Sequence, residues 1–390
     1  MSFEPILHRA RRGLDHRAAA AEADGKAIRT RARTVRAAAL GAVALAAAAH
    51  ASAADVASMH AYNPHLRPVS HISDTRMRID TAAGVAELPL YISRDWNRPL
   101  PGIVRAVIVI HGKLRNAERY FHSAEQGRDA ARDQHAADAD ANGTLLIAPQ
   151  FLATLDFGAR SQPADLLHWD ANGWMAGEPA VAPVPLSSYT ALDAIVERLA
   201  DRRRFPDLRE VVFAGHSGGA QVVQRYAVAA RETGALARDG IALRYVVSSP
   251  SSYAYFDAQR PADDGKPFDP ATCPGFDDWK YGMQKRPAYL AERTPAQLEA
   301  AYVARRVDYL VGGQDDDPRQ KALDQSCPAE AQGPQRVARA EAYFDYLRAR
   351  HPRGLNQQLH IVPGVGHDGA RMLTSACALH AIYGVPGCAS

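Results

Sequence analysis

Three residue types that together perform nucleophilic acyl transfer stand far apart in the chain, each in a glycine-rich turn. The first is Ser217, in Gly215-His216-Ser217-Gly218-Gly219. A serine hydroxyl attacks a carbonyl efficiently only after a neighbouring base takes its proton. The second is His367, in Val365-Gly366-His367-Asp368-Gly369. A neutral imidazole near pH 7 can take that proton and later deliver it to the leaving group. The third is an acid that holds the imidazole tautomer and stabilises the imidazolium. Asp315, Asp316 and Asp317 follow Gly312-Gly313-Gln314, and Asp170 lies in an earlier loop. Adjacent carboxylates cannot all reach one histidine. Asp317 precedes Pro318, which biases its backbone to an extended course.

The elements that must position these groups are legible from hydrophobic period. Residues 211–214 form a short apolar run before the serine, and apolar residues at helical spacing follow it to residue 228. A buried strand therefore enters the turn and a helix leaves it, with Gly234 expected to stop that helix. The glycines around Ser217 relieve crowding at a strained turn. The helix N-terminus beneath the serine favours developing negative charge, which makes the Gly218 amide one donor to a tetrahedral oxyanion.

Upstream, residues 76–79 and 85–93 read as an antiparallel hairpin around Ala83-Gly84, after an extended lead-in over 55–75. Residues 103–110 are apolar except for Arg105 and predict a strand buried on both faces. Asn116 is placed to cap a helix running to about residue 137. Residues 144–148 form the next strand, leading to a loop with Trp169 and Trp174, which read equally as a substrate wall or as packing. Ser187 or Ser188 starts a helix with Leu192, Ile195, Val196 and Leu199 on one face.

Beyond the serine, strands are predicted at 243–247, 307–311 and 358–362, a helix at 335–350, and a closing helical stretch at 369–382. Tyr253 follows the first of these strands and joins the tryptophans as a candidate substrate contact. Residues 257–300 are rich in Pro, Asp and Gly and read as an inserted lid. Alternation of strands and helices predicts a mostly parallel sheet covered on both faces, in one domain over 55–390.

The net charge of +3 is uneven: residues 1–53 hold nine Lys/Arg against four Asp/Glu, a balance of +5 that leaves the remainder at −2. The body of the chain carries no basic surplus for nucleic acid. Arginines 29, 31, 33 and 36 precede an alanine-rich apolar run over 37–49 and small-x-small cleavage sites, which predicts a signal peptide within a 1–53 extension, and a secreted or periplasmic protein. That run is too short for a membrane span. The four cysteines, Cys273, Cys327, Cys377 and Cys388, suit two disulfides, with 273–327 and 377–388 favoured because the last two are close in sequence. Their spacing is not a zinc pattern, and no metal or cofactor is expected.

With these motifs in view, the chain from residue 103 onward resembles the α/β-hydrolase superfamily, through His111-Gly112, the turn at 215–219, Gly312-x-x-Asp315 and Gly366-His367. The order Ser, Asp, His agrees with that group. It looks most like secreted members with His-Gly-x-x-Arg-Asn-Ala, here His111 to Ala117. The resemblance implies the α/β-hydrolase fold, Asp315 as the orienting acid, and the Lys113 amide as second oxyanion donor, with Leu114 as a substitute. Of activity it implies the reaction type and little more; the leading reading is an exported serine hydrolase acting on a carboxylic ester, small or polymeric. The same three residues would serve a peptidase, a polyester depolymerase or an acyltransferase. A binding protein on this scaffold is the non-enzymatic alternative.

Overall fold

A computed structural model describes residues 64–158, 162–231, 234–261 and 266–388. The leader expected in residues 1–53 lies outside them, as does the first part of the lead-in segment. The hairpin pairs β1 (Arg76–Thr81) with β2 (Gly84–Ile92). Then come β3 (Arg105–Ile110), β4 (Thr144–Pro149), β5 (Leu152–Ala153), β6 (His168–Trp169), β7 (Glu210–His216), β8 (Ala242–Ser248), β9 (Arg306–Gly312) and β10 (Gln357–Val362). Eight of these form one sheet in the order β1-β2-β4-β3-β7-β8-β9-β10, while β5 and β6 pair separately. The first three neighbours are joined antiparallel and every later pairing is parallel.

The central strands are Val- and Ile-rich because both faces are covered. On β3, Ala106, Ile108 and Ile110 enter one core, and Val107 and Val109 the other; on β7, Val211 and Phe213 oppose Val212 and Ala214 in the same way. Arg105, the one charge in its apolar run, sits at the strand start and pairs with Glu210 at 2.9 Å. Helices Ser188–Leu199, Gly218–Ala229, Pro295–Ala304 and Arg336–Arg350 fill the first face. Helices Ala117–Asp133 and Ala376–Tyr383 fill the second.

Several boundaries differ from expectation. The helix after Ser217 stops at Ala229, and Gly234 instead opens a short helix, Gly234–Arg238. The Arg305 guanidinium bonds the carbonyls of Ala227, Val228 and Ala230, and Arg293 those of Ala229 and Ala230. These cations satisfy the open carbonyls at the buried end of the helix and favour termination there. Asn116 holds the N-cap position, but its side chain makes no capping bond, and the helix ends at Asp133. The closing stretch is two helices, Gly369–Leu373 and Ala376–Tyr383, the second capped by the Ser375 hydroxyl.

The Pro-rich stretch lies between β8 and β9 and becomes regular helix from Pro295. It is tied down by a Cys273–Cys327 disulfide, and the Trp279 indole donates to the Ala176 carbonyl at 2.6 Å. A second disulfide joins Cys377 and Cys388. No described helix is long and apolar enough to cross a membrane.

Candidate active site

The parallel register aligns the carboxyl ends of five strands, β3, β7, β8, β9 and β10. Ile110 pairs with Gly215, His216 with Ser248, and Val362 with Gly312. The turns that follow are where an open α/β sheet exposes side chains to a ligand.

At the first, β7 ends at His216 and the helix begins at Gly218, leaving Ser217 alone to reverse the chain. Its backbone sits at φ 58° and ψ −118°. Positive φ costs a non-glycine residue on the order of 1–3 kcal/mol, and the tight crossing on either side enforces it. A Cβ on Gly219 would lie 2.1 Å from the Ile110 carbonyl oxygen, and one on Gly215 would lie 2.5 Å from the Gly219 backbone. No side chain fits at either position. The Ser217 amide donates to the Ser248 carbonyl at 2.9 Å, which locks the turn to β8.

The loop after β10 brings His367 over this serine. His367 Nε2 is 2.9 Å from Ser217 Oγ, and Nδ1 is 2.7 Å from Asp315 Oδ2. Asp315 is 3% exposed, whereas Asp316 and Asp317 are exposed and turn away. The sharp course after β9 selects it: the Asp315 amide donates to the Gly312 carbonyl at 2.9 Å, and the Gln314 amide to Val365 at 2.9 Å. Asp317 instead accepts the Arg319 amide at 2.9 Å, and Asp170 accepts the Asn172 amide at 3.0 Å within its own turn.

The other oxygen of Asp315 is held by Arg336, Nη1 to Oδ1 at 3.0 Å. Arg336 is 1% exposed and also donates to the Ser251 hydroxyl at 3.2 Å. Burial alone would push the Asp315 carboxyl up. The hydrogen bonds from His367 and the Ser249 hydroxyl, with the Arg336 charge, outweigh it and hold the group below its ordinary range. Burial pushes the His367 imidazole down and Arg336 adds to this, against the pull of Asp315. The net effect lowers the His367 pKa and favours the neutral imidazole. Its neighbour His216 lies tilted against it at 4.6 Å between centroids, and its own pKa is lowered, first by burial and then by His367. The Tyr120 hydroxyl, its pKa raised to about 12 by burial, lies 3.3 Å from His216 Nδ1 and can donate to it.

The Lys113 amide faces the serine turn: a Cβ on Gly218 would lie 2.9 Å from it. The Gly218 amide opens its helix and has no partner within it. The Lys113 loop is pinned from both sides. His111 Nδ1–H donates to the Gly112 carbonyl at 2.9 Å, and Nε2 accepts the Phe151 amide at 2.9 Å. Complete burial lowers the His111 pKa to about 4, so this tautomer is fixed and uncharged. Arg115, at φ 60° and 1% exposed, forms a bidentate pair with Asp156 at 2.7 and 3.0 Å.

Trp169, Trp174 and Tyr253 are core residues rather than a substrate wall. The first two are fully buried around Phe151, with Trp174 stacked on it at 5.6 Å. Tyr253 stacks on Tyr343 at 4.5 Å. None of the three lines the cleft above Ser217, and neither does any described residue of 257–300.

Sequence reasoning missed Arg336, Ser249, Asp156 and Tyr120. Arg336 carried one usable signal. With Arg339 it shares the helix face of Ala340, Tyr343 and Leu347, and a cation on an apolar stripe must find a buried partner. His360, Cys377 and Cys388 place ligand atoms within 4.8 Å of one another, but the two sulfurs are bonded together.

No protein-family model matches the chain, and no curated protein matches it in sequence. Solved structures that share its architecture include the following two. One is poly(aspartic acid) hydrolase-1 from Sphingomonas sp. KT-1, with TM-score 0.52 and 19% identity, over 81% of this chain and 99% of that one. The other is a poly(3-hydroxybutyrate) depolymerase from Bordetella parapertussis, with TM-score 0.50 and 21% identity, over 81% of this chain and 92% of that one. With the mostly parallel sheet flanked by helices, these likenesses establish the α/β-hydrolase fold.

Proposed function

We propose that the protein is an exported serine hydrolase of carboxylic esters. The observation that carries this reading is the continuous hydrogen-bonded chain Ser217–His367–Asp315. His367 Nε2 takes the Ser217 proton as Oγ attacks the ester carbonyl, and Asp315 stabilises the resulting imidazolium. The oxyanion is received by the Gly218 and Lys113 amides. Removing one such donor typically costs about 3–4 kcal/mol of transition-state stabilisation. His367 then protonates the departing alcohol, leaving an acyl-enzyme on Ser217. Water, activated by the same imidazole, attacks that acyl group and releases the acid. No step calls for a metal or cofactor. The disulfides and the alanine-rich leader favour a secreted or periplasmic setting.

A second reading is a depolymerase, acting on an ester or amide polymer. It is favoured by the names of the two structural neighbours, each of which designates an enzyme acting on a polymer. Both readings share Ser217. A fluorophosphonate probe should label the wild-type chain at Ser217 and leave Ser217→Ala unlabelled. Turnover across esters of graded acyl length should vanish in the same variant. An alanine variant that keeps near-wild-type turnover would falsify the assignment.

A further inference from the structure

The cleft above Ser217 has a volume of about 240 Å³. Leu114 is the one large aliphatic side chain among its lining residues, and it is 40% exposed. Sites for long acyl chains are walled by apolar groups, because binding then rests on burying hydrocarbon. Here the walls include Lys113, Asn116, Arg119, Tyr120 and Ser123.

The charge in this cleft is unbalanced. Neither Lys113 nor Arg119 forms an ion pair among the described residues, whereas Arg132 on the same helix bridges Asp129 and Asp133. The one lining carboxylate is Asp368, and its Oδ1 accepts the Ala370 and Arg371 amides at 2.9 and 3.1 Å. Two cations with no ion-pair partner among the described residues, Lys113 and the exposed Arg119, line the same cleft as Ser217 and fit an anionic group there.

We propose that the preferred substrates are short esters bearing an ionised carboxylate, which Arg119 and the Lys113 ammonium bind while the ester carbonyl meets Ser217. This rests on the serine-hydrolase reading and adds the substrate class to it. Arg119 acts as a specificity residue and takes no part in bond making.

The test compares two chromogenic esters of equal acyl length, the para-nitrophenyl half-ester of adipic acid and para-nitrophenyl hexanoate, at low and high ionic strength. The full chain should favour the half-ester in kcat/KM by about fivefold or more at low salt, and the advantage should shrink as salt screens the cations. Arg119→Gln should collapse the ratio of the two rates, Arg119→Glu should invert it, and Arg119→Lys should restore most of it. Equal rates for both esters, or a ratio untouched by Arg119→Gln, overturn the proposal while leaving the hydrolase reading intact. Calorimetric binding to the Ser217→Ala chain separates the opposite case. If neither ester turns over but monomethyl adipate binds in an Arg119-dependent way, the anion site stands and the hydrolase reading fails. Absence of both turnover and binding overturns the anion site.

Discussion

Replacing Arg336 tests whether the buried cation sets the working pH of His367. Arg336 Nη1 lies 3.0 Å from Asp315 Oδ1, and both residues are almost sealed from solvent. Two unit charges about 4 Å apart at an effective dielectric near 20 interact by about 4 kcal/mol. Breaking such a pair from one side typically costs about 3–5 kcal/mol, because the other charge stays buried. Arg336→Met should lose stability on that scale. The catalytic effect has a definite sign. Arg336 repels the imidazolium and so lowers the His367 pKa. Its removal takes that repulsion away. Asp315 keeps its hydrogen bonds to His367 and Ser249, stays ionised, and presents a less compensated charge to the imidazole. Both changes raise the His367 pKa. Since the base must be neutral, activity is lost as pH falls through that pKa, and the acid limb of kcat/KM should move to higher pH. A displacement of about one pH unit corresponds to about 1.4 kcal/mol of altered interaction. Arg336→Lys keeps the charge and should leave the limb near its wild-type position. The assay is kcat/KM against pH for the three chains, below the melting temperature of each. A folded Arg336→Met whose acid limb is unmoved, or moves to lower pH, refutes the reasoning.

Asp315→Asn should reduce kcat by about 10⁴, the loss seen when a triad acid can no longer hold its tautomer. Asp316→Asn and Asp317→Asn should each lose less than about tenfold, under about 1.4 kcal/mol in barrier; steady-state kinetics of the three variants ranks them. Asp156→Asn weakens the bidentate hold on Arg115 and loosens the Lys113 loop, so kcat should drop by up to about a hundredfold, short of losing an oxyanion donor outright; a change confined to KM would count against that role. His111, with its folded pKa lowered to about 4 from an ordinary 6.5, gives a pH-dependent stability. The unfolded chain binds the proton first, so stability should decline from about pH 6.5 down to about pH 4, by about 3 kcal/mol in all; denaturant titrations across that window should show a shallower decline in His111→Asn. Replacing Cys273 and Cys327 together by Ser opens a loop of sequence separation 54 and should cost about 4 kcal/mol, read as a lower denaturation midpoint.

What was legible in the sequence was whatever local chemistry dictates. The strand, turn and helix around Ser217 follow from an apolar run, a glycine cluster and a helical period, all within about twenty residues. The turn that carries Asp315, Asp316 and Asp317 and the loop that carries His367 follow from strand ends and glycines in the same way, whereas the choice of Asp315 among its neighbours came from the resemblance. Substrate walls were not legible, because a tryptophan in a loop looks the same whether it meets a ligand or, like Trp169 and Trp174, packs on Phe151. The supporting charges were also hidden. Asp156 stands 41 residues from Arg115, and Arg336 stands 21 residues from Asp315. Only the fold brings each pair together. Yet the arginines are not silent in the sequence. A guanidinium cannot be buried on an apolar helix stripe without an anion or several carbonyls to receive its hydrogens. Arg336 and Arg339 both lie on the stripe of Ala340, Tyr343 and Leu347. Arg339 spends its donors on the carbonyls of Gly333, Ser251 and Asp324. Arg336 meets an anion, Asp315, the carboxylate that also receives His367. The helix Arg336–Arg350 thus joins core packing to the charge balance of the site, and its first turn is where a change in packing would reach Asp315 and, through it, His367.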